Sequence, residues 1–183
     1  MQKKVLSEVD LYYGNIDMPK GFEIKTDVLK NQILNSFIEE KRISNNIKDY
    51  AYSDFKVEHT PTLQWLQDYI RDHYNVEYSK ALIIKNMWGN VYDYNQKSFS
   101  RTTVDPVDLI NSPDYTFIYG VDVGKDSTGV VIEYNDNRRK GRTWHLPLNT
   151  NQFVMFPSTN QYFISPNKSK QMNIILTTTY EYI

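Results

Sequence analysis

The chain has 183 residues, of which 40% are hydrophobic and 14% aromatic, with 15 tyrosines; that is enough apolar surface for one packed core and excludes a disordered chain. A formal net charge of −1 gives no global field to draw it to nucleic acid or anionic lipid. With no cysteine, disulfides, thiolate catalysis, iron–sulfur clusters and cysteine zinc sites are excluded.

The first residues, Met1 to Glu8, have a short basic flank but no apolar stretch, so neither a signal peptide nor a membrane span is expected. Two helices are predicted in the first half. Thr26 and Asp27 can cap one that ends near Arg42 and shows Leu29, Ile33, Phe37 and Ile38 on one face. Thr60 is the N-cap of the second, Pro61 its first residue, and Leu63, Leu66, Ile70 and Tyr74 recur at helical spacing. Between them, residues 47–58 read as irregular with some strand. From Lys80 the pattern turns to short strands: Ala81–Ile84, Met87–Trp88, Val91–Tyr94, Tyr115–Val121, Gly129–Tyr134, Thr143–Leu146, Phe153–Phe156, Tyr162–Ser165 and Met172–Tyr182. Turn residues separate them, such as Asn111-Ser112-Pro113-Asp114, Gly124-Lys125-Asp126, Asn135-Asp136-Asn137 and Asn149-Thr150-Asn151. Helices first and many close strands afterward predict an α+β fold, a double-stranded β-helix or jelly-roll whose N-terminal helices back one sheet. A single domain over 1–183 is expected: a helical support region with an N-terminal strand over 1–79, and the β core over 80–183.

The segments Met87-Trp88-Gly89-Asn90, Tyr115 to Val121, Gly129 to Tyr134, and Phe153-Val154-Met155-Phe156-Pro157-Ser158 followed by Pro166-Asn167 together resemble the 2-oxoglutarate/iron(II) oxygenase family found in tailed-phage genomes. The resemblance covers about half the chain. It implies a double-stranded β-helix and a ferrous ion held by two imidazoles and one carboxylate. It also puts the first ligand pair within Arg101–Leu109, the distal histidine on Tyr162, and the arginine for 2-oxoglutarate near Gln171, beside Lys170. None of these positions carries the family's residue. The three histidines, His59, His73 and His145, stand apart from those segments. Thr103-Val104-Asp105 and Asp108 supply carboxylates but no imidazole. A phenol needs deprotonation to hold iron, and its ordinary pKa near ~10 opposes that.

The reading that follows is a barrel that has lost its metal, with no catalytic, cofactor-binding or metal residue and no cofactor. Its expected role is a non-catalytic structural or adaptor component of a phage virion: neck, head–tail connector or tail. Assembly would be in the host cytoplasm, the chain forming a homo-oligomeric ring bound to other virion proteins, with no part for membrane or nucleic acid. The rival readings are an active oxygenase with an atypical ligand set, Asp105 or Asp108 with His145, and a carbohydrate-binding jelly-roll. The basic run Arg138-Arg139-Lys140-Gly141-Arg142 reads as a solvated hairpin tip before a phosphate contact. Asp105, Asp108 and Asp114 read as turn residues before a calcium loop. The β-rich end, Ile174 to Tyr182, either closes the sheet or offers an edge for strand addition.

Overall fold

The computed structural model describes residues 9–17, 23–43, 54–78, 81–137 and 140–183. Its elements run β1 (Tyr12–Asn15), α1 (Glu23–Ile43), β2 (Phe55–Lys56), α2 (Pro61–Tyr78), β3 (Leu82–Tyr92), β4 (Tyr115–Asp122), β5 (Thr128–Asn137), β6 (Lys140–Leu148), β7 (Gln152–Pro157), β8 (Gln161–Ile164) and β9 (Asn173–Tyr182). Every strand pair is antiparallel. A six-stranded sheet has the order β1-β7-β4-β9-β3-β2 and a smaller one the order β6-β5-β8. Arg101 extends the smaller sheet by one bridge to Tyr162, with paired backbone hydrogen bonds of 2.9 Å each way.

Alternation along the strands divides two cores. On one face of the large sheet, Met87, Val91, Phe117, Tyr119, Val121, Met155, Ile174, Leu176 and Tyr180 pack with Leu29, Ile33 and Phe37 of α1 and Leu63, Leu66 and Ile70 of α2. On the other, Tyr92, Ile118, Val154, Phe156 and Ile175 meet Val130, Ile132, Leu146, Leu148, Tyr162 and Ile164 of the smaller sheet. This is the expected α+β double-stranded β-helix, with the helices on one face of one sheet. The final strand is central, bonded to β3 on one side and β4 on the other. Among the described residues no helix is long and apolar enough to cross a membrane.

Several local expectations change. α1 begins at Glu23, which places Thr26 and Asp27 inside the helix and not at its cap, and Asn135, Asp136 and Asn137 belong to β5 and not to a separating turn. Ile38 is 47% exposed: the buried face of α1 repeats every four residues at Leu29, Ile33 and Phe37, and Ile38 has turned out of it. Pro61 does open α2, where Leu63 N donates to Thr60 O at 2.9 Å, but the Thr60 hydroxyl is buried and makes no hydrogen bond, so it is not a side-chain cap. The three apolar runs between 81 and 94 are one strand, irregular between Ile84 and Asn86 where β3 shifts against β9.

α1 lies close on β3 because Gly89 has no side chain. A Cβ there would stand 2.5, 2.6 and 2.8 Å from Cγ1, Cδ1 and Cγ2 of Ile33, which is fully buried. Gly89→Ala is therefore expected to lower unfolding free energy by about 1–3 kcal/mol, the cost of overpacking a close-packed contact. Urea denaturation checks it, and adding Ile33→Val is expected to cost less than the sum of the two single losses; strict additivity would contradict the contact.

Candidate functional site: the polar end and mouth of the barrel

Inside the barrel the apolar layer ends at a charged centre. The Arg101 guanidinium forms two hydrogen bonds with the Asp54 carboxylate, Nη1 to Oδ2 at 2.6 Å and Nη2 to Oδ1 at 3.0 Å. Asn90 of β3 donates a third through Nδ2, also at 3.0 Å. The guanidinium carbon lies 5.4 Å from the centre of the Trp88 ring and 5.9 Å from that of Tyr162, so two aromatic faces flank the cation. The elements set this up. Alternation puts Trp88 and Asn90 on the inward face of β3, the bridge fixes Arg101 beside Tyr162, and the residues preceding β2 bring Asp54 across.

Burial would raise the Asp54 pKa, but the hydrogen bonds from Arg101 and Asn90 and the Arg101 charge outweigh it and hold the carboxyl below its ordinary value. For Arg101, burial works against the charge and Asp54 more than restores it. Tyr162 is 1% exposed; burial pushes its phenol above the usual tyrosine range, against the nearby Arg101 charge, and it stays protonated at neutral pH. Its hydroxyl lies close to that charge without the geometry of a hydrogen bond, and Arg101 Nε and Trp88 Nε1 are likewise buried with no acceptor. Beside this centre runs a row of hydroxyls: Thr103 to Thr116 at 2.6 Å and Thr116 to Ser158 at 2.9 Å.

Toward the open end lies a cleft of about 950 Å³, lined among others by Leu11, Thr102, Ile132, Trp144 and Gln161, with Arg142 at the hairpin side. Ile132 pairs in register with Trp144 on one side and Tyr162 on the other. Directly paired residues share a face, so Trp144 is on the inward face of the smaller sheet, yet it is 52% exposed.

The other residues singled out from the sequence are dispersed. His145 follows Trp144 on the opposite face of β6, exposed. Asp105 accepts from Val107 N at 2.9 Å and Asp108 from Asn111 Nδ2 at 2.8 Å, as turn residues, and Asp114 accepts from Tyr182 N at 3.1 Å. His59 is exposed beside β2. The His73 side chain, Arg138 and Arg139 lie outside the described residues. Gln171 bonds Asp122 at 3.2 Å on the surface. Arg101 and Asp54, the residues that make the centre, carry no local signature in the sequence, since nothing near Arg101 couples it to a carboxylate 47 positions away.

Removing one partner of this ion pair is expected to cost about 1–2 kcal/mol. Buried pairs lose about 3–5 kcal/mol, and the smaller figure allows for screening of side chains that are 32% and 45% exposed. Urea titrations of Asp54→Asn and Arg101→Met check it. The Asp54 pKa is depressed on folding, so its contribution is present above the unfolded carboxyl value and lost as pH falls below about 4 toward the folded one. That acid-side loss is expected to be smaller in Asp54→Asn.

No family model matches the sequence, and no curated protein matches it. Solved structures match at the level of fold. A Pseudomonas putida prolyl-4-hydroxylase is 11% identical with TM-score 0.62, covering 93% of this chain and 91% of the enzyme. SnoK, a non-heme alpha-ketoglutarate-dependent carbocyclase from nogalamycin biosynthesis, is 9% identical with TM-score 0.63, over 93% and 78%. The viral collagen prolyl hydroxylase of Paramecium bursaria Chlorella virus-1, in its 2-oxoglutarate complex, is 15% identical with TM-score 0.60, over 92% and 95%. These correct the expectation of a non-catalytic structural protein: the solved neighbours of this fold are enzymes. An iron site implied by the fold must nevertheless be tested on the side chains. Opposite Tyr162 stands Arg101, whose guanidinium cannot ligate a cation; the nearest carboxylate, Asp54, is already bonded to it, and no group of three or more His, Asp or Glu among the described residues could hold a metal. The described residues do not fit a ferrous centre of two imidazoles and a carboxylate. What the chain shares with these enzymes is the 2-oxoglutarate/iron(II) oxygenase-type fold.

Proposed function

We propose that this chain is an enzyme of the oxygenase-barrel type that works on a small organic substrate at the mouth of the barrel, with a catalytic set other than two imidazoles and a carboxylate. The observation that carries the reading is the cleft against Trp144. Its volume of about 950 Å³ suits a substrate of drug-like size. Leu11, Ile132 and Trp144 give it an apolar wall, and Thr102, Thr143, Asn160 and Gln161 supply hydroxyls and amides to orient a ligand. Thr102 and Gln161 directly neighbour Arg101 and Tyr162 in sequence, so the cleft adjoins the charged centre. Enzymes of known structure on the same fold, among them the prolyl hydroxylase and the carbocyclase, support catalysis over passive scaffolding. At neutral pH the centre offers a fixed cation, a carboxylate and a protonated phenol, groups able to bind and orient a polar substrate and to hold or donate a proton.

The test is incubation of the full chain with a panel of prolyl peptides, sugars, nucleosides and organic acids, with and without iron(II), ascorbate and 2-oxoglutarate, and mass spectrometry for product. Product from at least one class is expected. Trp144→Ala is expected to reduce that turnover about tenfold or more with little change in melting temperature, since loss of an aromatic wall typically costs more than ~1.4 kcal/mol of binding. Absence of product from every class would overturn the reading.

A further inference from the structure

Two aromatic rings stand on one face of the β5–β6 hairpin. Ile132 pairs with Trp144 and Tyr134 with Arg142, so Tyr134 lies one pair further along than Trp144, on the diagonal that aromatic side chains can span. Both line the cleft; Trp144 is 52% exposed and Tyr134 half-buried. The cleft volume of about 950 Å³ is at the upper end of small-molecule sites, which run from about 300 to 1,000 Å³. Two rings and this volume together suit a ligand of more than one ring.

Charge and hydrogen-bonding character then select the ligand class. The lining holds one carboxylate, Glu133, and one guanidinium, Arg142, whose charges cancel, and Glu133 already accepts from Ser100 Oγ at 2.7 Å. A cleft without net charge gives neither an anion nor a cation an advantage. The other polar residues are Thr102, Thr143, Thr159, Asn160 and Gln161. Asn160 is set in the turn before β8, its N–H donating to Pro157 O at 3.0 Å, and Gln161 opens that strand. Hydroxyls and amides both donate and accept, whereas a carboxylate ligand only accepts and an ammonium only donates. The matching group is a hydroxyl. A ring with hydroxyls at its rim and C–H bonds on its faces satisfies both parts of the lining, because its slightly positive hydrogens rest on the negative faces of aromatic rings.

We infer that the Trp144 cleft takes a neutral oligosaccharide of two or more sugar rings, seated on Trp144 and Tyr134 and held at its hydroxyls by Asn160 and Gln161. The inference rests on the reading of this cleft as the substrate site and names the class of that substrate. A nucleoside stacks on an indole too, yet it carries few hydroxyls for five side chains that donate and accept.

The experiment is a calorimetric titration of the full chain with maltotriose, cellotriose and tri-N-acetylchitotriose, with adenosine and a proline-rich peptide as comparison ligands, and tryptophan fluorescence in parallel. Saturable binding of at least one trisaccharide is expected, tighter than either comparison ligand and unchanged between low and moderate salt, since no net charge is neutralised. Trp144→Ala is expected to weaken it about tenfold or more, and Asn160→Ala about two- to tenfold, as for one neutral hydrogen bond. Trp144→Phe keeps a smaller ring and is expected to lose less than Trp144→Ala. Binding of adenosine or the peptide that depends on Trp144, with no saccharide binding up to tens of millimolar, would overturn the sugar assignment and leave the cleft a substrate site. No Trp144-dependent binding of any of these ligands would overturn both. Saccharide binding unchanged in Trp144→Ala and Asn160→Ala would put the sugar elsewhere and overturn the assignment.

Discussion

β9 is hydrogen-bonded along both edges, to β3 and to β4, and Asn173 to Tyr180 are all buried. A strand in that position must suit two environments at once. Ile174, Leu176 and Tyr180 face the helices, while Ile175 faces the smaller sheet. Antiparallel sheets more often leave one face to water; this one is covered on both, by α1 and α2 on one side and by β5, β6 and β8 on the other. The double covering explains why the outer positions of β3 and β4 are as apolar as a helix-packed layer requires. It also explains why Gly89 stands where α1 comes closest. Most important for function, the covering encloses an interior between the two sheets, and whatever polar chemistry the barrel holds must lie where that interior runs out of apolar side chains.

That place is the Arg101–Asp54 pair. With side chains 32% and 45% exposed, the pair is partly screened by solvent, and its strength rests on good geometry. Here the geometry includes a two-point carboxylate contact, an amide from Asn90 and two aromatic faces on the guanidinium. The same bridge that brings Arg101 to Tyr162 joins the two segments in which the oxygenase resemblance places its iron ligands. The barrel therefore presents a fixed positive charge held by side chains beside Tyr162. A guanidinium retains its charge over any accessible pH.

The sequence carried much of the fold and little of this centre, and the physics of each explains why. Strands buried on alternate faces leave a period of two that can be read locally, as in Tyr115 to Asp122, and Asn and Asp at tight turns announce the breaks; Asp126 and Asn151 indeed adopt positive φ values of 52° and 65°. Helix faces are legible where the spacing is regular, and Ile38 misleads because hydrophobicity alone does not say which side of a helix meets the sheet. The ion pair has no such local signature. Asp54 precedes a two-residue strand and Arg101 sits in a loop with one bridge, so their meeting is set by how β2, β3 and β8 are arranged in space. The fold's identity was thus recoverable from patterns, while the residues that fill its working end were recoverable only from tertiary register.

Trp144 illustrates the same lesson from the other direction. Its in-register neighbour Ile132 is 2% exposed, whereas the indole itself is 52% exposed. Both lie on the inward face, and β5 and β6 run on together as a long hairpin to Asn137 and Lys140. An isolated exposed apolar residue on a convex surface calls for no explanation. One that lines a cleft together with Leu11 is different, because a ligand seated there would bury the indole face while its polar groups reached Thr102 and Gln161. The exposed indole and Leu11 are therefore the apolar wall on which the proposed reading of this cleft rests.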